Sequence, residues 1–516
     1  MFKSIKKVVL GASMVLLVTT GIQWNTSQVV AAETQYYVST SGSDSNAGTL
    51  NAPWKTLQHA ADVATAGSTV YIRGGTYNQK LKITKSGSST GAITFSNYAS
   101  EKPIIDGTGL SVTGLEGLID IQNADYITIQ GLELSNYKTA TKDLLPIGIY
   151  VHGKGSNIKL LNNKIHDIKS TATPTSTPSG DIWLGRDAHG IAVYGTQAPA
   201  SINNLTISGN ELYNLVLGTS EALVVNGNVD TFSILNNTIH DADNIGIDVI
   251  GFEGKSPTVA YDQARNGLIQ GNKVYNITSN NNVSYGPVPN NTNSADGIYV
   301  DGGKDTIIER NYSYNNDIGI EIASEHAGKA TDNITVRSNM VYKNRLTGIA
   351  MGGYDTGRGS TTNSKIVNNT LYKNDTLGDD NGQLLVQYDT SNNIIKNNIM
   401  VAGTSNALIT NPYTKNSGNV VDYNLYFASG SSDSTFWIWK NKEYNGFAAY
   451  KSGSGNDAHS IFADPKFVNV SADNYHIQAT SPAVDKGSTD TAIIGTADID
   501  GQNRVSGSAV NIGADE

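Results

Sequence analysis

Residues 295–326 read ADGIYVDGGKDTIIERNYSYNNDIGIEIASEH. Two kinds of short apolar alternation follow one another here. One is built on a Gly-Ile pair, and the other runs through Ile307 and Ile308 to Asn311. Both recur along the chain. The first returns as PIGIYVHG (146–153), AHGIAVYG (188–195), NIGIDVIG (244–251) and LTGIAMGG (346–353). The second places an asparagine in one register at Asn163, Asn210, Asn237, Asn272, Asn311, Asn339, Asn369 and Asn398, with DYNLYF adding Asn424. The first eight are separated by 47, 27, 35, 39, 28, 30 and 29 residues, so the unit is just under thirty residues plus insertions. Such a period, filled with short strands and lacking room for a crossover helix, predicts a parallel β-helix. The fold class is therefore all-β. A single coil cannot bury its apolar edge, and stacking closes the core.

The asparagines are expected to bond amide to amide in a ladder at one coil corner, and many of the 53 glycines to serve corner conformations. Before the coils, PWKTLQHAADVATAGSTVYIRGGTY (53–77) predicts a short amphipathic helix and a strand. Thr56 is the expected N-cap, and Leu57, Ala60, Ala61 and Ala64 the apolar face. This helix would plug the open end of the solenoid, and the irregular segment from DPKFVN to NIGADE would close the other. The expected divisions are 1–32, an export leader; 33–110, cap and first coils; 111–430, core with groove loops; and 431–516, last coils and C-terminal cap.

The leader is read from Lys3, Lys6 and Lys7, an apolar run from Val8 to Gly21, and VVAA ending at Ala32. Nothing later is long and apolar enough to span a membrane, so the chain is expected to be secreted, as a monomer. Loss of three lysines takes the formal charge from −10 to −13, which argues against nucleic acid as a partner. With no cysteine, stability must come from burial and hydrogen bonding.

In the Gly-Ile frame Ile298 and Val300, Ile320 and Ile322, and Ile349 and Met351 should face inward, so the residues between them face out. The first outward column reads Gly148, Gly190, Ala222, Gly246, Gly297, Gly319, Gly348. It is either a flat floor for a sugar ring or an aid to starting each strand. The next reads Tyr150, Ala192, Val224, Asp248, Tyr299, Glu321, Ala350, and the third includes His152, Tyr194, Asn226, Ile250 and Asp301. Asp248, Asp301 and Glu321 then lie on three successive coils, with Asp296 and Asp317 at strand starts. Carboxylates about 5 Å apart repel by roughly 3 kcal/mol at an effective dielectric of 20, so stacking them demands a cation, a shared proton or a basic partner. The insertions Lys169–Ala188, Gly251–Arg265 and Thr278–Ala295 should wall one groove. Arg186, His189, Tyr354, Arg358 and His326 are its further candidates for substrate contact or catalysis.

The stretches YYVSTSGSDSNAGT (36–49), APWKTLQHAADVATAGSTVYIRGGTY (52–77), SPAVDKG (481–487) and DIDGQNR (498–504), together with the coils, resemble secreted right-handed β-helix proteins of the pectate-lyase-like superfamily. The motif layout is similar to polysaccharide lyase family 9. The resemblance implies calcium ligands at Asp296 (ADGIYV) and at Asp317 and Glu321 (NDIGIE), with a catalytic lysine in the third coil. There LTGIAMGG carries Ala350 instead, so another group, Tyr299, His326 or Lys304, must act as base.

Two chemistries fit these residues. One is polysaccharide lyase action on an acidic or modified extracellular glycan, in which a base removes the proton beside a uronate carboxyl and clustered carboxylates hold calcium. The alternative is hydrolysis by a carboxyl pair. YVDGG…SEH also resembles the Asp-then-Glu pair of β-helical β-xylosidases, which implies Asp301 as nucleophile and Glu321 as acid/base. A non-catalytic glycan-binding solenoid is the third reading, and it gives no reason for stacked charge.

Overall fold

The computed structural model describes residues 34–176 and 183–516; the expected leader lies outside them. From Glu33 to Glu516 the chain forms one unit, a right-handed parallel β-helix with three long sheets. Each coil runs through the three sheets in turn, and several coils give two short strands to the longest, eighteen-stranded sheet, as Ala330–Asp332 and Thr335–Arg337 do. Asp296–Asp301, for example, is followed by Lys304–Glu309 and Tyr312–Tyr314 before Ile318–Ala323 returns to the first sheet. That first sheet, here the site sheet, has thirteen strands from Leu81–Ile83 to Lys442–Asn445.

Inward β-branched residues form a continuous core, with Ile247, Val249, Ile298, Val300, Ile320, Ile322, Ile349 and Met351 all buried. Nine asparagines make the ladder. Each Nδ2 from Asn163 to Asn398 donates to the next Oδ1 at 2.9–3.1 Å, ending on Asn424. The amides also bond backbone groups; Asn311 Nδ2, for instance, donates to the Ile269 carbonyl of the preceding coil. This satisfies buried corner amides that no strand pairs. A second, shorter ladder, unforeseen in the sequence, sits five residues on. Asn316 N donates to Asn344 Oδ1, Asn344 Nδ2 to Asn374 Oδ1, and Asn374 Nδ2 to Gln383 Oε1. It fixes the corner that leads into the site sheet.

At the N-terminal end, helix Leu57–Val63 buries Leu57, Ala60 and Ala61, and Thr56 accepts the His59 amide at 3.2 Å. The other end differs from expectation. It is closed by the hairpin Phe436–Trp439/Lys442–Asn445 and helix Phe447–Ser454, whose Trp437, Tyr444 and Tyr450 join the core. The segment from DPKFVN onward instead folds back along the flank. Tyr475, Ile499 and Ile512 pack there against Met340, Tyr342, Tyr372 and Ile399. The outward aromatic residues of those coils need that cover.

Candidate functional site

Strand register stacks the outward residues into one column. Lys82 pairs with Asp120, Asp120 with Tyr150, Tyr150 with Ala192, Ala192 with Val224 and Val224 with Asp248. The column continues through Tyr299 and Glu321 to Ala350. The glycine column does not make a floor. A Cβ on Gly319 would stand 2.4 Å from the Gly348 carbonyl and from Val341 Cγ1, and one on Gly297 2.4 Å from Ser313 Oγ. These glycines face the packed corner. They let the chain bend there, which places Asp296 and Ile318, just before the glycine, on the outer face beside Glu321.

The acids are almost wholly enclosed: Asp248 and Asp296 are 2 % exposed, Asp301 and Glu321 6 %. Burial, followed by the neighbouring negative charges, pushes the carboxyls of Asp248 and Asp296 well above their ordinary range. Glu321 is pushed up to about 8, chiefly by burial, although a hydrogen bond with Asp296 pulls the other way. Asp296 and Glu321 thus face each other as a buried acid pair. One oxygen of Asp248 and one of Asp296, each Oδ1, are buried with no hydrogen-bond partner.

Asp301 lies at the end of its strand. Its Oδ1 accepts the Glu325 amide at 2.7 Å, and its Oδ2 stands 3.5 Å from His326 Nε2. That separation is long for a hydrogen bond, but the contact with Asp301 raises the imidazole pKa above its usual value. With Nε2 turned to Asp301, Nδ1 is the nitrogen left for other chemistry. The Phe252 ring meets His326 edge-on at 6.1 Å. Glu325 is pushed up to about 7 by the protein crowded around it and by Asp301, against the pull of Arg358 3.8 Å away. Because 43 % of its side chain meets water, solvent screens part of that shift. Arg358 also lies 4.2 Å over the exposed Tyr354 ring.

Loops frame this cluster. Asn282 Nδ2 reaches the Asp243 carbonyl at 2.8 Å, Tyr285 bonds Asn244, and Lys255 Nζ stands 5.0 Å over the Tyr194 ring.

Several expected site residues do other work. Asp317 is fully buried. Its Oδ2 takes the amides of Ser279 (2.8 Å) and Ala295 (3.2 Å) with the Ser279 hydroxyl, while Oδ1 faces Arg345 at 3.4 Å. It fastens the Thr278–Ala295 insertion and has no oxygen to spare for an ion. His189 is enclosed, its Nδ1 on the Glu221 carbonyl and its Nε2 on the Tyr194 hydroxyl, both at 3.0 Å. Burial lowers its pKa to about 4, so it is a neutral structural group. Arg186 turns into its own loop, with Nη1 on the Ala172 carbonyl. Tyr299 is buried between Asp248 and Glu321, and burial raises its phenol pKa well above the ordinary value, which disqualifies it as a base. Lys304 belongs to another sheet. Of the three candidate bases, only His326 stands in the cluster with an atom suited to take a proton. Lys255 was missed as a site residue; the insertion lengths could have flagged it, since it sits on the expected loop Gly251–Arg265. Ala350 is fully buried and packs with Ile318 and Leu385 as an apolar patch beside Glu321.

The acid column has the donor chemistry that a hard cation takes. The donors are oxygen alone, and two buried carboxylate oxygens lack partners. Among the described residues, three ligand atoms gather within 4.8 Å of one another at His476, Asp500 and Asp515 on the flanking segment, and not among the groove acids. In the groove burial favours the protonated forms of Asp296 and Glu321, so a cation entering there must displace protons.

Residues 36–192 match the family model described as the Pel9A-like, right-handed β-helix region. YwoF of Bacillus subtilis (strain 168), an uncharacterised protein, is 43 % identical over 448 residues, spanning 87 % of this chain and 91 % of YwoF. The pectate lyase PEL9 of Emericella nidulans is 39 % identical over 141 residues, 25 % of this chain and 32 % of PEL9. Among solved structures, XylC in complex with xylose superposes with a TM-score of 0.58 at 13 % identity. The match covers 93 % of this chain and 98 % of XylC, a likeness of fold alone.

Proposed function

This chain belongs to the Pel9A-like right-handed β-helix proteins of the pectate-lyase-like superfamily, and from that premise we propose that it is a secreted polysaccharide lyase cleaving an acidic or modified extracellular glycan by β-elimination. The carrying observation is the Asp301–His326 pair, 3.5 Å apart, beside a buried, oxygen-only donor set with two unpartnered carboxylate oxygens. The activity named for PEL9 supports the same reading.

Asp248, Asp296 and Glu321 would hold calcium. Bound there, the ion supplies neutralising charge to the substrate carboxylate, which acidifies the C–H bond beside it. Asp301 orients the imidazole, and His326 Nδ1 takes that proton. The C–H electron pair becomes the ring double bond, and the bond to the glycosidic oxygen breaks. Glu325 gives the departing oxygen its proton. Water then returns both groups to their starting states. Arg358, stacked on Tyr354, meets the anionic chain at the groove wall.

Hydrolysis is the second reading, favoured by one observation: Ala350 leaves an apolar patch where the resemblance to the lyases implies a lysine, while Glu321 and Asp301 remain as buried carboxyls. Purified protein is to be incubated with polygalacturonate, other polyuronates and neutral glycans, with and without calcium. Elimination creates ultraviolet absorbance with each new chain end. New reducing ends without absorbance mean hydrolysis, and overturn the proposal.

A further inference from the structure

The outward column changes sign along its length. Its downstream half holds Asp248 and Glu321, with Asp296, Asp301 and Glu325 alongside. Five coil steps before Asp248 it begins at Lys82, a span of about 24 Å at roughly 4.8 Å per coil. Lys82 is exposed and, among the described residues, makes no ion pair. It lines a depression of about 360 Å³ with Lys80, Glu116, Asp120 and His152. Lys80 is paired with Glu116 at 2.7 Å, and Asp120 is hydrogen-bonded to His152 at 3.0 Å. That leaves Lys82 as the charge the depression offers a ligand.

Between this depression and the acids the outer face is apolar and aromatic. Tyr150 stacks on His152 at 4.3 Å, and Tyr150, Ala192, Tyr194 and Val224 form one packed cluster. A second cation reaches over it. Lys255, carried by the Gly251–Arg265 insertion, holds Nζ above the Tyr194 ring, with Glu253 Oε2 at 3.8 Å as its ion partner. That contact is loose and half-exposed, so it yields readily to a better anion. The arrangement answers a physical need. The acid cluster by itself offers a polyanion no attraction, so the groove needs cations where the chain lies before the cleavage point.

We propose that Lys82 and Lys255 form a cationic track that binds carboxylates of a polyuronate chain upstream of the scissile bond and so selects long, acidic glycans. The proposal rests on the lyase reading and names its substrate class. Lys255 would hold a residue near the acids, and Lys82 one several sugars away.

The test compares the unaltered protein with K82Q, K255Q and the double variant on polygalacturonate and on short oligogalacturonates, across a range of salt. Each substitution is expected to raise KM on the polymer about tenfold, the size of one charge-assisted contact, with the effect in KM rather than kcat. The salt dependence of KM should flatten in the double variant, since screening removes the same attraction. On oligomers too short to reach Lys82, K255Q should weaken binding more than K82Q. Unchanged KM and salt slope on the polymer, in a protein that does eliminate polyuronate, would overturn the track while leaving the lyase reading intact. If the unaltered protein eliminates no polyuronate, the lyase reading fails. The track is then judged by equilibrium binding of polygalacturonate to the same variants, where weaker binding supports it and equal binding removes it.

Discussion

His326 Nε2 stands 3.5 Å from Asp301 Oδ2, and the Asp301 carboxylate is itself held by the Glu325 amide at 2.7 Å. An imidazole that turns one nitrogen toward a carboxylate presents the other to a substrate. That is the logic of an oriented base, here with both partners near the turn at Ala323–His326. Replacing His326 with alanine should lower kcat by about 10²- to 10⁴-fold. D301N should do nearly as much by releasing the ring. Steady-state kinetics on a responsive polyuronate checks both. The raised imidazole pKa adds a sign: His326 works only when unprotonated and Glu325, raised to about 7, only when protonated, so activity should trace a bell, rising as the imidazole loses its proton and falling as Glu325 loses its own.

The buried acids make stability depend on pH in a definite direction. Glu321 is raised to about 8 in the fold from about 4.3 in an unfolded chain. The fold therefore prefers the protonated group. This contribution is complete below about pH 4 and is lost as pH rises to about 8. Asp248 and Asp296 are raised in the same sense. Chelated protein should lose Tm across that window. Calcium should restore it, and restore more at the alkaline end, where the ion no longer competes with protons. D248N and D296N should flatten both responses. Thermal melts across pH, with chelator and with calcium, give the answer.

The asparagine ladder should be costly to break in its middle. Asn311→Ala removes the acceptor of the Asn272 amides and the donor to Asn339 and Ile269. Each buried group left unpaired costs about 1–3 kcal/mol. Denaturant unfolding should show a lower midpoint with the same slope, because the folded surface is little changed.

Gly319→Ala tests the corner role of the glycines. Its new Cβ would meet the Gly348 carbonyl and Val341 at 2.4 Å, so the variant should lose about 1–3 kcal/mol of stability as the coil shifts. A glycine serving only as a floor for sugar would leave Tm intact and change KM.

Much of this molecule was legible because a solenoid translates sequence period directly into space. The Asn163-to-Asn424 spacing placed the ladder, and the Gly-Ile frame placed Asp248, Tyr299 and Glu321 in one column. Failures arose where a residue's partner lies elsewhere in the chain. Asp317 looked like an ion ligand in its own frame, yet its oxygens are taken by amides of the preceding insertion. His189 looked like a groove residue, yet Tyr194 and Glu221 enclose it. The glycine column was assigned to the outer face by strict alternation, and the bend at each strand start breaks that alternation. The flanking position of residues 467–516 was hidden because no local pattern states which outward aromatics require a cover.

The most direct measurement is ultraviolet absorbance of polygalacturonate and other polyuronates incubated with the purified protein and calcium, beside the H326A and E321Q variants. The account predicts a steady rise with the unaltered protein that chelator halts and that both variants lack. New reducing ends without that rise, or a rise that survives loss of His326 and Glu321, would contradict it.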